Sequence, residues 1–325
     1  MIIESPSRIH ITLIDLNASI GRVDGGVGIA LEKPNLKIEG DIERDIIIEF
    51  DNTLYNKFPE DFLNKIKNRA YNIAKDILNY IGKEGIYLKF LSLFPSHSGL
   101  GSGTQLSLAI GKLITKLYNY NIDIYEIAKL LGRGGTSGIG IGAFKYGGFL
   151  LDGGHSWKEK KDFKPSSASK GIRPAPILFR HNFDFDITLI IPEGEHVYGK
   201  REVDIFKKYC PIPLNEVEKL SHLILMKMLP AVVEKNLEDF GDVINKIQYL
   251  GFKKVEVGLQ SEVVKELIQS LQKSAFSGLS SFGPTVYALG DKRFIIETAN
   301  EVFDKFGVDG EIIFTKANNI GYKIW

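Results

Sequence analysis

Residues 94–112, FPSHSGLGSGTQLSLAIGK, constrain this chain more than any other stretch. Glycines recur at Gly99, Gly101 and Gly103, with Ser98, Ser102 and Thr104 among them. Glycine lets a backbone reach positive φ and come close to a ligand. Leu106, Ala109, Ile110, Leu113, Ile114 and Leu117 then mark a helix with an apolar stripe. A Gly-rich turn running into a helix start offers free N–H groups and the positive end of the helix dipole. Together these hold an anion. No Gly-Lys-Ser/Thr follows, so the spacing is not that of the common P-loop. Read alone, the stretch is either a phosphate cradle or a tight turn capped by hydroxyls.

The rest of the chain reads as alternating short strands and amphipathic helices. RIHITLIDL, GVGIALEKP, LKIEG and DIIIEF are β-branched runs separated by Gly and Pro, which predicts four strands before residue 51. A helix is expected over 59–80, then a buried strand in GIYLKFLSLF. Asp123 and Glu126 predict a capped helix that stops at Gly132, and GGFLLDGG a further strand. Residues 152–176 are rich in Lys, Ser, Gly and Pro and lack periodicity, so they read as a loop or linker. Beyond them come strands in ILFRHNFDFDITLIIP and TVYALG, helices over 261–274 and 293–306, and a strand in EIIFTK. The class is α+β. At 325 residues, two domains are the expectation, 1–175 and 176–325.

Composition narrows the function classes. The net charge is +1, so no general basic field points to nucleic acid. The single cysteine, Cys210, allows no intrachain disulfide, and the six histidines show no metal-ligand spacing. Glu4 and Pro6 stand where a signal peptide needs an apolar core, and no run is long enough for a membrane helix. A cytoplasmic protein with small-molecule partners is expected.

Three stretches occur in a telling order: SPSRIHITLIDL, PSHSGLGSGTQLSLA and FSGLSSFGPTVYAL. They resemble the three signature regions of the GHMP superfamily, the galactokinase, homoserine kinase, mevalonate kinase and phosphomevalonate kinase group. Pro95 and Gly99–Ser102 match the family's Pro-x-x-x-Gly-Leu-Gly-Ser-Ser pattern, and its second Ser is Gly103 here. The resemblance implies an N-terminal domain like domain 2 of ribosomal protein S5, a ferredoxin-like C-terminal domain, and an active site between them.

Many GHMP kinases carry a later Ser-Gly-x-Asp whose carboxylate serves as a general base. Here Ser137 and Gly138 match, but Gly140 replaces the Asp. SRIHITLIDLN, VDGGVGIALEKP, PSHSGLGSGTQLSLAIG and GRGGTSGIGIGAF are similar instead to the β-ribofuranosylaminobenzene 5'-phosphate synthases, a non-kinase family of archaeal methanopterin biosynthesis. That resemblance implies a decarboxylating pentosyl transfer. Phosphoribosyl pyrophosphate and 4-aminobenzoate, or 4-hydroxybenzoate, would give a C-riboside, CO2 and pyrophosphate. The ring attacks C1 of the ribose through its carboxyl-bearing carbon, and loss of CO2 restores aromaticity. No hydroxyl must be deprotonated for the bond to form. The protein must neutralise the leaving group and align two substrates. Mg2+ would arrive on the pyrophosphate, with no dedicated protein cage expected. A homodimer is also implied. An ATP-dependent small-molecule kinase and a non-catalytic ligand sensor on the same fold are the alternatives.

Individual residues follow from this frame. Arg8 and His10 alternate on a strand and share a face with Thr12, either solvated or bordering the cleft. With Asp15 they are the catalytic candidates; Asp15 and Asn17 either order a turn or touch the ribose. His97, Ser98, Gly99, Gly101, Ser102, Gly103 and Thr104 are the candidate phosphate site. Arg133, Ser137, Ser280 and Ser281 are candidate substrate contacts; Arg133 either pairs with a carboxylate or caps a helix. His155, Trp157, Lys158 and Arg173 lie on the polar loop, which is either a solvated connection or a lid bringing cations over the phosphates. The run GIGIG reads as close-packed backbone facing the ligand.

Overall fold

The computed structural model describes residues 1–165, 168–169, 171–194 and 200–325. The first half is built on a sheet that begins with two long strands, β1 (Ile2–Asp15) and β2 (Arg22–Asp41). The sequence suggests a break in β2 at Pro34. Instead the strand runs through, because Glu32–Pro34 bulge out opposite the Pro6/Ser7 step. The bulge is held from outside: Glu32 N–H donates to Lys316 O and Lys33 N–H to Thr315 Oγ1. Strand β3 (Ile46–Phe50) follows, then helix α1 (Asn52–Lys57), helix α2 (Glu60–Ile81) and strand β4 (Ile86–Ser92). α2 buries Leu63, Ile66, Ala70, Ile73, Ala74, Ile77 and Leu78 on one face and ends at Gly82, left-handed at φ 66.

Helix α3 (Ser102–Leu117) is buried almost all round from Gln105 to Thr115, between the sheet, α2 and two short helices, α4 (Ile124–Leu130) and α5 (Ile139–Tyr146). Small residues permit this. A side chain at Gly111 would meet Ile127 Cγ2 at 2.5 Å, and one at Gly140 would meet Thr104 Cγ2 at 3.1 Å. The GIGIG run is thus close-packed, but Gly140 packs against α3.

Strands β5 (Phe149–Asp152) and β6 (His155–Ser156), helix α6 (Trp157–Lys160) and strand β7 (Ile177–His181) come next. The sheet order is β12-β1-β2-β4-β3, with β5 and β6 also on β2 and β7 on β5; β12 is Lys323–Ile324. Strands from both sides of residue 175 therefore share this sheet. A second, antiparallel sheet has the order β11-β8-β10-β9: β8 is Ile187–Pro192, β9 Phe276–Leu279, β10 Val286–Leu289 and β11 Gly310–Thr315. Its helices are α7 (Lys200–Tyr209), α8 (Leu214–Leu223), which runs through a π turn into α9 (Leu229–Glu234), then α10 (Leu237–Ile247), α11 (Gly251–Gly258), α12 (Glu262–Leu271) and α13 (Lys292–Phe306). One apolar core spans both sheets, where Phe149 and Phe183 meet Phe240. Among the described residues no helix is long and apolar enough to cross a membrane.

Candidate active site

The three signature stretches meet in space. The loop before α3 is wound tightly, with His97 at φ 60 and Gly99 and Gly101 at φ 81. Gly99 has no alternative: a Cβ there would lie 2.2 Å from the Ser280 carbonyl. Arg8 and Ser280 both donate to the Gly99 carbonyl, Ser280 at 2.7 Å. Thr285 Oγ1 donates to Ser98 O at 2.6 Å, and the His10 N–H to Ser280 Oγ at 3.1 Å. Sequence positions roughly 100 and 270 residues from β1 are so bound to it that the loop has one shape. Gly101 is the N-cap of α3 and supplies no side-chain cap. Thr104 and Gln105 N–H groups turn back to Gly101 O, leaving the Ser102 and Gly103 N–H groups for a ligand.

A cleft of about 200 Å³ lies over that helix end, lined by Arg8, Arg69, His97, Gly99, Gly101, Ser102, Gly103, Thr104, Arg133, Glu202 and Ser281, among others. Among the described residues three guanidinium groups line this space, and only one carboxylate, Glu202. Burial pulls Arg8 down to about 10, partly countered by Glu256. Burial, then repulsion from Arg69, pulls Arg133 down to about 10. Arg69 is lowered by burial alone. All three remain cations at neutral pH, held at a cost that an anion would relieve. Glu202 moves the other way, up to about 7, through burial and then Glu256.

Arg69 explains the departure at Gly103. A Cβ at 103 would stand 2.5 Å from Arg69 Nη2, so the guanidinium occupies the space of the family's second serine.

The expected residues separate into groups. Arg8, His97, Gly99, Gly101, Ser102, Gly103, Thr104, Arg133 and Ser281 line the cleft. Ser98 and Ser280 are buried, their hydroxyls spent on Pro95 O and Gly99 O, so they shape the loop from behind. Asp15 caps its own turn, accepting from the Asn17 and Ala18 N–H groups at 2.7 and 2.9 Å. Arg133 Nε also donates to Ser107 Oγ at 3.0 Å. A bulge between His10 and Thr12 interrupts the alternation expected to place them together, and the Thr12 hydroxyl is buried against Leu13 O. His10 and Ser137 are in contact, Nε2 to Oγ at 3.2 Å, and Ser137 donates to Asp152 Oδ2 at 2.8 Å.

The polar loop is not a solvated connection through its first half. His155 Nδ1 and Lys160 Nζ each lie 2.6 Å from Asp24 Oδ2, all three buried, and His155 Nε2 reaches Gly134 O at 3.1 Å. Trp157 packs on Phe163. His155 and Arg173 border a separate hollow of about 790 Å³ with Arg22 and Glu126, away from the Gly-rich cleft. The expectation of cations closing over the phosphates fails for His155 because Asp24 holds it inward. Residues 166, 167 and 170 of this stretch lie outside the described residues.

Sequence reasoning missed Arg69, Glu202, Asp152 and the buried pair Lys253–Glu256. Lys253 Nζ lies 2.5 Å from Glu256 and donates to Leu279 O and Ser281 O, so it fastens the third signature stretch. Burial lowers Lys253 and raises Glu256, each opposed by its partner. Lys253 and Glu256 lie on helix α11, where they look like any solvated polar face, and nothing local marks them.

This two-sheet fold is that of the GHMP kinase group. Models of the GHMP kinase N-terminal and C-terminal domains match residues 68–148 and 228–307. Among solved structures, galactokinase of Lactococcus lactis superposes with TM-score 0.67 at 13% identity over 99% of this chain and 94% of that one. Phosphomevalonate kinase of Streptococcus pneumoniae does so with TM-score 0.66 at 13% identity over 97% and 99%. At the level of sequence the chain is 69% identical to the β-ribofuranosylphenol 5'-phosphate synthase of Methanocaldococcus jannaschii over 100% of both chains. It is 45% identical to that of Archaeoglobus fulgidus over 99% of this chain and 98% of the other. The chain belongs to the β-ribofuranosylphenol 5'-phosphate synthases, a family of enzymes on the GHMP kinase fold.

Proposed function

We propose that the protein joins C1 of phosphoribosyl pyrophosphate to the carboxyl-bearing carbon of 4-hydroxybenzoate, releasing CO2 and pyrophosphate. The observation that carries this reading is the cleft itself: Arg8, Arg69 and Arg133 converge on the free N–H groups of an uncapped helix. That arrangement suits a leaving group that gains negative charge as the C1–O bond breaks. The hydroxylated ring is preferred over 4-aminobenzoate because the relatives are named for a ribosylated phenol.

Phosphoryl transfer to a hydroxyl fits less well. Gly140 offers no base and packs on Thr104. Asp152, the carboxylate beside Ser137, already accepts from the Gly138 N–H, the Gly154 N–H and Ser137. A magnesium ion would arrive on the pyrophosphate and help neutralise it; Ser102, Thr104 and Glu202 are the cleft oxygens that would meet it. Among the described residues no group of three or more His, Cys, Asp or Glu is placed to hold a metal. The family resemblance supports a place in tetrahydromethanopterin biosynthesis, in the cytoplasm, as a homodimer.

The test is release of labelled CO2 from carboxyl-labelled 4-hydroxybenzoate, dependent on phosphoribosyl pyrophosphate and Mg2+, with the C-riboside phosphate seen by mass spectrometry. ATP consumption with a small alcohol and no CO2 release would overturn it.

A further inference from the structure

The donors around Asp152 fix the protonation of a residue beside the cleft. Asp152 is fully buried, and its two oxygens receive three donors: Gly138 N–H at 2.8 Å, Ser137 Oγ at 2.8 Å and Gly154 N–H at 2.9 Å. Burial raises its pKa to about 6, with those donors and then His155 pulling back, so it is ionised at neutral pH. An ionised carboxylate only accepts. Ser137 therefore gives its one proton to Asp152 and can only accept elsewhere. It accepts from the Ile139 N–H at 3.2 Å, and its contact with His10 Nε2 must have the imidazole donating. Burial first, then Arg8 from the same strand and Lys253 from α11, hold His10 well below the usual imidazole range, so the ring is neutral. A neutral ring with its proton on Nε2 carries a lone pair on Nδ1. That Nδ1 is buried with no hydrogen-bond partner among the described residues, on a residue only 6% exposed. His10 shares a strand face with Arg8, and its carbonyl accepts from the Ser281 N–H; Arg8 and Ser281 both line the cleft.

We propose that His10 Nδ1 is the base that receives the para-hydroxyl proton of the aromatic substrate, with Ser137 and Asp152 as positioning residues that keep it in the accepting form. This rests on the reading above. The expectation that no hydroxyl need be deprotonated suits an aniline, but attack by a neutral phenol leaves a protonated, strongly acidic dienone. In the step proposed, the phenolic O–H bond breaks and the proton passes to Nδ1. The released electron pair flows through the ring, and the carboxyl-bearing carbon bonds to C1 of the ribose. Pyrophosphate departs with the C1–O pair. The C–CO2 bond then breaks, its pair restores the aromatic ring, and the oxygen takes the proton back from the imidazolium. Nothing is consumed besides the two substrates. A ring whose basicity is held low returns its proton readily, which the second half requires.

The test compares wild type, His10→Gln and Ser137→Ala on 4-hydroxybenzoate, 3-fluoro-4-hydroxybenzoate and 3,5-difluoro-4-hydroxybenzoate at neutral pH, by CO2 release and by calorimetric affinity for phosphoribosyl pyrophosphate. Ring fluorines make the hydroxyl ionise unaided. On 4-hydroxybenzoate His10→Gln is expected to lose about 10²–10⁴ in kcat, the usual worth of a positioned base. The wild-type to variant ratio should shrink at least about tenfold on the difluoro acid, where little remains for a base to do. Ser137→Ala should show the same trend with a smaller loss, and phosphoribosyl pyrophosphate affinity should hold. A loss equal on all three acids, or none, overturns the proposal and leaves the synthase reading intact. A wild type inert on every acid overturns both. If His10→Gln fails to fold, the Ser137→Ala series decides.

Discussion

Arg69→Met separates binding from stability. The residue sits on α2 and lines a small hollow with Ile66, Phe94 and Leu106, its guanidinium over Gly103, without a hydrogen bond or ion pair among the described contacts. Its neighbour Arg133 is pulled down to about 10, and Arg69 is the second cause after burial. At about 1.4 kcal/mol per unit the whole shift is worth roughly 3 kcal/mol, of which the smaller part is Arg69. Some of it is screened, because Arg133 is not fully buried. Removing Arg69 should thus return about 1 kcal/mol to the free protein, with Met keeping the apolar contact. For a chain of this size that is a Tm rise of roughly 2 °C. Binding should move the other way. One lost charge-assisted hydrogen bond to the pyrophosphate costs about 1.5–3 kcal/mol, or about 10- to 100-fold in affinity. Thermal unfolding without ligand and calorimetric titration with phosphoribosyl pyrophosphate read the two numbers. A Tm several degrees lower with unchanged affinity would refute the reasoning and make Arg69 a structural residue.

Three further outcomes follow from named contacts. Gly103→Ser restores the family serine but forces Arg69 Nη2 from a position 2.5 Å from the new Cβ; affinity should fall at little cost in Tm, and the loss should shrink markedly in the Arg69→Met background, as a double-mutant cycle would show. Lys160→Met breaks a buried pair and leaves Asp24 with His155 alone; a loss of about 3–5 kcal/mol in stability is expected, with the affinity of the folded protein for phosphoribosyl pyrophosphate unchanged, whereas a selective loss of affinity would revive the lid. His10 stays neutral when folded but titrates near its ordinary value when unfolded, so the unfolded chain binds the extra proton and wild-type stability is lost as pH falls below about 6.5. Asp152, raised to about 6, acts oppositely: it favours the fold at low pH and that contribution is lost as pH rises through 6. His10→Gln deletes only the first, so its Tm should gain on wild type from about pH 7 down to 5; parallel curves would show His10 charged in the fold.

What the sequence determined is local. Glycine at positive φ, apolar residues at helical spacing and the Asp123 cap depend on near neighbours, so the Gly-rich loop, α2, α3 and α4 were legible from the chain alone. The order of three short motifs carried the fold family, because that fold needs those turns whatever it binds. Tertiary structure decided which polar groups mean something. Arg69 and Lys253 occupy helix positions that read as solvated, yet one is brought over the helix α3 start and the other is sealed at 0% exposure beneath Ser281. His155 reads as a mobile loop residue until Asp24, 131 positions away, holds it. Pro34 reads as a strand end until the segment at Thr315–Lys316 supplies the bonds for a bulge. In each case the deciding partner is distant in sequence. The energy of a buried charge or an unpaired donor depends on what surrounds it in space, a quantity that no window along the chain contains.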